Sequence, residues 1–356
     1  MPITTDEEVL RYMEERGIHA TSVQKLTGGS ANFVWRAQLK EKRANLGDRP
    51  TMVIKHAEPF VAFDINLRLD AVRMNYEIAA MQTAADPVIS CPKVGVPSVY
   101  SYDDQNKVVF LEDADGSADL KAYISALDKP PSTELSHEIG SLLGQFIGRL
   151  HTFGQAKRGD LQSKFDNPTG LNICKSYFYD RVESVMKSFN IDSPQAVEAA
   201  AWGGQQLATN PQTLCHGDYW TGNVLINVGS TTGVKLRIVD WEVCRYSPSG
   251  MDIGQMLAEM FNLNKFRQPC SNMMAAFLNA YTKEFHPTLY DVKIAIIHFG
   301  FHLLIWTPVT GWTEDGPAIA RIGLDYVCHA WQEDWAWFDN TVFRDYVQTV
   351  TNAGTI

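Results

Sequence analysis

The sequence predicts an α+β fold with a small β-rich N-terminal lobe, residues 1–114, and a larger helical C-terminal lobe, residues 115–356. Two patterns carry this prediction. Up to about residue 113, short apolar runs alternate with turn-forming residues, as is typical of strands in an antiparallel sheet. From residue 135 onwards, apolar residues recur at helical spacing. A chain of 356 residues is long enough to form two such cores.

Composition limits the classes of function that the chain can have. Hydrophobic residues make up 45% of it and charged residues 20%, as in ordinary globular proteins, and the net charge of −10 disfavours a nucleic-acid partner. The N-terminus lacks the apolar core of a signal peptide, and no run of about 18 apolar residues predicts a membrane span. Six scattered cysteines without a C-x-x-C pair suit a reducing cytosol. We therefore expect a cytoplasmic protein without nucleic-acid or membrane partners, and the sequence indicates no oligomeric state.

The N-terminal lobe is predicted to consist of one helix followed by short strands. Thr5 and Glu8 have the spacing of a capping box, which predicts a helix that extends to about Arg16. The expected strands cover residues 23–26, 33–37, 52–56, 96–102 and 107–113. A helix is predicted from about Asp64 to Ala84, where apolar residues recur.

A glycine-rich turn connects the first two predicted strands. Its central residues are Gly28, Gly29 and Ser30. Glycines allow backbone N–H groups to approach an anion closely, so this turn could cover the phosphates of a nucleotide. The alternative is an ordinary hairpin turn. A Walker A loop is excluded because no Gly-Lys-Ser/Thr follows.

One charged pair is predicted inside the N-terminal lobe. Lys55 lies in the apolar strand 52–56, where its ammonium group needs a partner. Glu77, on the predicted helix, is the candidate partner. In kinases a strand lysine and a helix glutamate hold the α- and β-phosphates in this way. The alternative is that both side chains are exposed to solvent.

Glu112 and Asp113 follow the last strand of the predicted N-terminal lobe. Their position predicts a hinge whose backbone would contact the edge of an adenine ring. This assignment depends on position alone, because recognition by backbone leaves little trace in side chains.

The most informative segment surrounds a predicted hairpin with strands 224–228 and 235–239. Asp218 and Asn223 precede the first strand, and Asp240 follows the second. Because a hairpin folds back on itself, these side chains can meet at one end of it. Phosphoryl transfer needs such a group, in which one carboxylate accepts the proton of the attacking hydroxyl while an amide oxygen and a second carboxylate hold Mg²⁺. The alternative is that these residues form turns only.

Several histidines and one further aspartate surround this segment in the sequence. Asp252 lies near the start of a predicted helix, where it is expected to cap the helix and to hold the preceding loop by hydrogen bonds. His151, His298 and His302 lie on apolar helical stretches, and a place in the core is the favoured interpretation for each.

These motifs resemble those of the aminoglycoside phosphotransferase-like family of small-molecule kinases. His216-Gly217-Asp218 stands where protein kinases have His-Arg-Asp, and Asn223 follows at the D-x-x-x-x-N spacing of their catalytic loop. Residues 54–60 and 240–242 are most similar to the methylthioribose kinase branch and to fungal 4-hydroxytryptamine kinases. The resemblance implies a bilobal protein-kinase-like fold, ATP and Mg²⁺ as cofactors, and transfer of the γ-phosphoryl group to a small-molecule hydroxyl. It makes Asp218 the catalytic residue.

The resemblance also implies site residues. The metal ligands would be Asn223, Asp240 and, as a third candidate, Glu242. The nucleotide would contact Gly28, Gly29, Ser30, Lys55, Glu77, Glu112 and Asp113. For the acceptor, the resemblance points to Arg321. Trp306 and Trp312 are further candidates because they flank a loop that contains proline and glycine, and the alternative for both is a place in the core.

The acceptor stays open at this point. Arg321 stands alone where methylthioribose kinases have two adjacent arginines, and His216-Gly217 is absent from the catalytic loop of hydroxytryptamine kinases. The acceptor is thus either a methylthioribose-like sugar or a hydroxytryptamine or amino alcohol. A choline- or aminoglycoside-type kinase and a non-catalytic nucleotide-binding pseudokinase are the alternatives. A protein kinase is disfavoured, because neither Asp-Phe-Gly nor Ala-Pro-Glu follows the catalytic loop.

Overall fold

A computed structural model describes residues 2–26, 31–114, 117–229 and 233–351. They form two compact units, of which the first comprises residues 1–86, 96–117 and 239–242, and the second residues 87–95, 118–238 and 243–356. The predicted fold class is confirmed, since strands dominate the N-terminal part and helices the C-terminal part. The glycine-rich turn at residues 28–30 lies outside the described residues.

The elements are numbered in chain order. The strands are β1 Ala20–Lys25, β2 Phe33–Leu39, β3 Thr51–His56, β4 Phe60–Val61, β5 Asp64–Arg68, β6 Val94–Gly95, β7 Val99–Asp103, β8 Val108–Glu112, β9 Ala118–Asp119, β10 Thr213–Cys215, β11 Val224–Gly229, β12 Gly233–Ile238 and β13 Arg245–Ser247. The helices are α1 Asp6–Glu14, α2 Arg73–Ala84, α3 Leu120–Ser125, α4 Thr133–Ala156, α5 Arg158–Leu161, α6 Pro168–Phe178, α7 Val182–Ser188, α8 Pro194–Thr209, α9 Gly250–Phe266, α10 Ser271–Glu284, α11 Leu289–Ile305, α12 Gly316–Trp331 and α13 Arg344–Thr351. Short 3-10 turns cover Ala44–Leu46, Thr221–Asn223 and Trp335–Asn340.

The first unit is built on an antiparallel sheet with the strand order β1-β2-β3-β8-β7. Alternate residues of β3 point to opposite faces of this sheet. Met52 and Ile54 enter the hydrophobic core that also contains Val9 and Met13 of α1. Lys55 therefore lies on the other face, where it meets a side chain from α2.

The predicted helix over residues 64–84 is wrong in its first third. Residues 60–68 form the β4–β5 hairpin, and α2 begins only at Arg73. The apolar residues Phe63, Ile65 and Leu67 alternate with polar ones, which is the period of a strand, and all three are exposed. The Asp70 carboxylate accepts a hydrogen bond from the backbone N–H of Val72 and ends this segment.

The second unit contains the predicted hairpin, now observed as β11 and β12. Val224 pairs with Ile238, so the chain enters the hairpin directly after Asn223 and leaves it two residues before Asp240. The hairpin belongs to a four-stranded sheet with the order β6-β12-β11-β9, in which only β6 and β12 are parallel. The loop residues 230–232 lie outside the described residues.

Helix α9 packs unusually close to α11. A Cβ atom at Gly250 would lie 2.4 Å from the carbonyl oxygen of Asp291, and one at Gly254 would lie 2.3 Å from that of Ala295. Only glycine permits this approach, since a Cβ would overlap the backbone. Both glycines flank Asp252, and this close packing therefore fixes the part of α9 that contacts the backbone of His216 and Gly217.

Within the described ranges, none of the helices combines the length and the apolar character that a membrane crossing requires.

Candidate functional site

Lys55 is the centre of a buried charge cluster in the first unit. Its Nζ atom lies 2.7 Å from Oε1 of Glu77 and 2.6 Å from Oδ1 of Asp240. Burial alone would lower the pKa of Lys55, but the carboxylates of Asp240 and Glu77 outweigh burial and raise this pKa. Burial also raises the pKa of Glu77, while the charge of Lys55 acts in the opposite direction. The expected pairing of Lys55 with Glu77 is present, and Lys55 is held as a cation.

Asp240 reaches this cluster from a rare backbone conformation. Its φ angle is 66°, in the left-handed region that aspartate adopts more readily than most residues. About a third of its side chain is exposed, at 31%, whereas the Lys55 side chain is 9% exposed. Asp240 can thus be reached by a solvated ion while one of its oxygens binds Lys55.

Glu242 belongs to a second buried ion pair in the same unit. Its Oε2 atom accepts hydrogen bonds from Nε of Arg73 at 2.9 Å and from Nδ2 of Asn32 at 2.8 Å. Arg73 also donates to the carbonyl oxygen of Ala31, the first described residue after the glycine-rich turn. No motif in the sequence singles out Arg73, although an arginine at the start of a helix with an apolar face is a visible signal.

The two predicted hinge residues are both engaged by arginines. Arg49 contacts Glu112 at 2.8 Å, and the backbone N–H of Ser98 donates to the same carboxylate. Arg36 forms a two-pronged ion pair with Asp113 at 2.7 and 3.0 Å. These side chains stabilise the end of β8, so only backbone atoms at this position suit the predicted contact with a nucleotide.

Asp218 is surrounded by hydrogen-bond donors in the second unit. Its Oδ1 atom accepts from Nε2 of Gln255 at 2.6 Å, and its Oδ2 atom accepts from Nδ2 of Asn223 at 3.0 Å and from Nε1 of Trp220 at 3.2 Å. Its backbone N–H donates to Nδ1 of His216, which fixes the orientation of that ring. The carboxylate is thereby held as an acceptor in a defined position.

Asn223 is oriented by the same contacts. Its Nδ2 atom donates to both the carboxylate and the backbone carbonyl oxygen of Asp218, each at 3.0 Å. Because the nitrogen of the amide is used in this way, its Oδ1 atom is the part that can bind a cation. The structure therefore brings together two of the predicted site residues, Asp218 and Asn223, as the D-x-x-x-x-N spacing indicated.

Asp252 binds the backbone of the two residues that precede Asp218. Its carboxylate accepts the backbone N–H groups of His216 at 2.8 Å and of Gly217 at 2.9 Å, and it also contacts Nε2 of His151. Burial alone would raise the pKa of Asp252, but the interactions with His151, His216 and the backbone of Gly217 together outweigh burial and lower this pKa. The predicted hydrogen bonds to the loop are confirmed. The predicted cap is wrong, because Ser249 is the residue that precedes α9.

Gly217 is required by the geometry of this loop. Its φ angle is 86°, and a Cβ atom there would lie 2.5 Å from both Nη1 of Arg245 and the carbonyl oxygen of Val243. We expect Gly217→Ala to lower the free energy of unfolding by about 2 kcal/mol or more, because left-handed backbone and overlap add. Urea unfolding measures this. Gly159→Ala in α5 is the matched control, and equal losses in the two variants would contradict the prediction.

The three candidates for acceptor binding differ in their surroundings. Trp312 is 3% exposed and donates from Nε1 to Glu259 at 3.3 Å. Trp306 packs against the ring of Phe178 at 5.9 Å. Arg321 is exposed and donates to a carbonyl oxygen one turn earlier in its own helix. Among the three, Trp312 is joined by hydrogen bonds to the network around the catalytic loop.

Gln255 and Glu259 are site residues that the sequence analysis missed. Gln255 follows Asp252 by three residues on α9, so both lie on one face of the helix. That spacing was the available signal for Gln255.

The histidines at 298 and 302 are buried, as expected. His298 contacts Tyr179, and His302 contacts Glu259.

The donor groups fit Mg²⁺ bound to a nucleotide. Mg²⁺ prefers oxygen ligands from one or two carboxylates together with phosphate oxygens. In the first unit, Asp240 offers a carboxylate and Lys55 a buried cation of the kind that phosphate binds. In the second unit, Asn223 offers an amide oxygen. Glu242 is a carboxylate as well, but Arg73 and Asn32 already bind it.

Comparisons with known proteins place several kinases among the relatives of this chain. The ecdysteroid kinase-like family matches residues 143–294. The chain is 28% identical to the 4-hydroxytryptamine kinase of Psilocybe cyanescens, over 88% of this chain and 89% of that one. It is 24% identical to the methylthioribose kinase of Bacillus mycoides, over 72% of this chain and 65% of that one. Both relatives are kinases by name.

One solved structure shares the fold. It is an aminoglycoside phosphotransferase in complex with GDP and kanamycin, with a TM-score of 0.51 and 16% identity, and the match covers 94% of this chain and 99% of that one. At this identity the likeness concerns the fold alone.

Proposed function

We propose that the chain is a small-molecule kinase of the aminoglycoside phosphotransferase-like type, which transfers the γ-phosphoryl group of ATP to a hydroxyl group of a small metabolite. The observation that carries the proposal is the oriented carboxylate of Asp218. It accepts hydrogen bonds from Gln255 at 2.6 Å and from Asn223 at 3.0 Å. This carboxylate can orient an attacking hydroxyl and take its proton.

The nucleotide would be bound by the charge cluster of the first unit. Within the part of the chain that the structure describes, Lys55 uses two of its three N–H donors on Glu77 and Asp240, which leaves the third for a phosphate oxygen. Asn223 and Asp240 would hold Mg²⁺, which neutralises charge on the phosphates when bound, and Glu242 is a further candidate. We also propose backbone contacts of the nucleotide at residues 28–30 and 112–113.

Positioning and charge neutralisation supply most of the rate in such reactions. In this proposal Asp218 removes the proton of the acceptor, while Lys55 offsets negative charge that develops during transfer. Glu77 keeps Lys55 in place.

We also propose that the chain divides into two lobes, residues 1–114 and 115–356. The proposed location is the cytoplasm, because the six cysteines are free thiols, as in a reducing compartment.

The acceptor that the observations favour is a hydroxytryptamine or an amino alcohol. Similarity to the 4-hydroxytryptamine kinase covers 88% of this chain, compared with 72% for the methylthioribose kinase. Trp220 donates from its indole to Asp218, which puts an aromatic ring beside the proposed base. Arg321, the candidate for a sugar, is exposed and bound to its own helix.

A coupled ADP-release assay with Mg-ATP tests the proposal. The acceptors would be 4-hydroxytryptamine, ethanolamine, choline, methylthioribose and kanamycin, each compared with a reaction without acceptor. We expect acceptor-dependent ADP release that is strongest with the aromatic amine. Methylthioribose as the preferred acceptor would overturn the acceptor class only. If ATP raised the melting temperature but none of a broad panel of alcohols were phosphorylated, the non-catalytic alternative would be favoured.

A further inference from the structure

The carboxylate of Glu259 receives hydrogen bonds from three separate segments of the second unit. Its Oε2 atom accepts from Oγ1 of Thr221 at 3.3 Å. Its Oε1 atom accepts from Nε2 of His302 at 2.8 Å and from Nε1 of Trp312 at 3.3 Å. The Glu259 side chain is 3% exposed. An ionised carboxylate only accepts, so it can satisfy all three donors at once.

Burial alone would raise the pKa of Glu259, but the interactions with His302, Lys121 and Trp312 together outweigh burial and lower this pKa. The group is therefore an anion that His302, Trp312 and Thr221 surround. Such a buried carboxylate resists displacement, because each shift of it would leave a donor unpaired.

We call the hydrogen bond between Glu259 and Thr221 the first arm of this network. It connects α9 to the loop from Asp218 to Asn223. Thr221 lies between Asp218 and Asn223 and begins the 3-10 turn Thr221–Asn223. The backbone N–H of Asn223 closes this turn by donating to the carbonyl oxygen of Trp220 at 3.0 Å. Anchoring Thr221 from α9 therefore fixes the turn from which the amide of Asn223 projects.

The second arm is the hydrogen bond between Glu259 and Trp312. We call the rings of Trp312 and Trp220 the acceptor-binding wall. Glu259 binds the indole N–H of Trp312, whose ring lies 4.2 Å from Nζ of Lys121 and 4.9 Å from Cζ of Arg267. The same Lys121 atom lies 5.6 Å from the ring of Trp220, the neighbour of Asp218. Lys121 thus connects the two indoles, and the position of Trp312 depends on Glu259.

We propose that Glu259 is a positioning residue that sets the placement of Asn223 through Thr221 and of the acceptor-binding wall through Trp312. It contacts neither the acceptor nor the metal. This inference rests on the proposed kinase function, and it adds that one buried carboxylate couples metal binding to acceptor binding.

Four variants separate the two arms. Thr221→Val removes only the hydroxyl of the first arm, so the Mg²⁺ concentration at half-saturation should rise about tenfold while the KM of the acceptor stays unchanged. Trp312→Phe keeps a ring but removes the N–H of the second arm, so the KM of the acceptor should rise about tenfold with Mg²⁺ dependence unchanged.

Glu259→Ala removes both arms and should show both changes. Glu259→Gln should restore most of the function, because its oxygen can face His302 and Trp312 while its nitrogen donates to the hydroxyl of Thr221. This rescue by the conservative variant separates positioning from a loss of folding. In addition, Thr221→Val should add nothing to Glu259→Ala.

Thr307→Val is the matched control. Thr307 accepts a buried hydrogen bond from Asn262, which lies one turn beyond Glu259 on α9, at 2.8 Å. The hydroxyl of Thr307 also donates to the backbone carbonyl oxygen of His302 at 3.5 Å, but it touches neither the ring of His302 nor Glu259. The control therefore perturbs a similar buried contact of the same helix and leaves the three hydrogen bonds of Glu259 in place. It should lower the melting temperature but change neither Mg²⁺ dependence nor acceptor KM.

Mg²⁺ dependence is read in two ways. ADP release gives it for the active enzyme, and the rise in melting temperature with ATP, titrated with Mg²⁺, gives it without any acceptor. If ADP release were absent with every acceptor, the proposed function would fail while the thermal titration still compared Thr221→Val and Glu259→Ala with the wild type. Wild-type Mg²⁺ dependence in Glu259→Ala would overturn the inference. An equally large change in the Mg²⁺ dependence of Thr307→Val would also overturn it. The same holds if ATP and Mg²⁺ together leave the melting temperature of the wild-type protein unchanged.

Discussion

Asp218→Asn is expected to reduce kcat by about a thousandfold, the scale on which a positioned general base contributes. Asparagine keeps the size of the side chain and one acceptor oxygen for the donor Gln255, but it cannot take the proton of the acceptor hydroxyl. The ADP-release assay measures the loss, and the rise in melting temperature with Mg-ATP should stay close to that of the wild type.

The control for this variant is Asp325→Asn. Asp325 is an exposed aspartate on α12, so the same change of charge should leave kcat unaffected. Near-normal turnover in a folded Asp218→Asn protein would show that Asp218 is not the base, and the mechanism proposed for the second unit would then be wrong.

Lys55→Met is expected to reduce kcat/KM for ATP by about a hundred- to a thousandfold, the range observed when one preorganised donor to a developing charge is removed. Lys55 is the cation at the centre of its cluster, 2.7 Å from Glu77 and 2.6 Å from Asp240. Its loss leaves the buried carboxylate of Glu77 without its cation. Breaking a buried ion pair in this way costs about 3–5 kcal/mol, so the melting temperature should also fall.

A second substitution separates the two effects. Glu77→Gln in the Lys55→Met background removes the unpaired charge, so stability should recover while ATP use does not. Lys187→Met removes a lysine from an exposed pair with Glu183 and should change neither property. Recovery of ATP use together with stability would mean that Lys55 acts only on folding and not on phosphate.

The local part of the site could be predicted from short patterns. The Thr5 and Glu8 pattern gave the N-terminus of α1, and both hydrogen bonds of that capping box are present. Turn-rich residues between two apolar runs gave the β11–β12 hairpin. The spacing of Asp218 and Asn223 gave their contact. Each of these features is fixed within a few residues, where backbone geometry leaves little choice.

The error at the start of the predicted helix arises because helical and strand spacings of apolar residues follow each other closely there. The helix predicted over residues 64–84 includes residues 64–68, yet Phe63, Ile65 and Leu67 alternate with polar residues. The alternation predicts a strand, and β5 follows it. The helical spacing of α2 follows soon after this strand, and the two patterns read as one helix when they are taken together.

The sequence by itself determined the fold class, the hairpin and the residue types that phosphoryl transfer requires, because these depend on order and spacing along the chain. Only the tertiary structure decided which partners hold those residues. Arg73 binds Glu242, Gln255 binds Asp218, and Glu259 joins three segments, across sequence separations of 169, 37 and 38 to 53 residues. No period in the sequence encodes such contacts. They arise when helices pack, as α9 does on α11, and buried polar groups must then find partners.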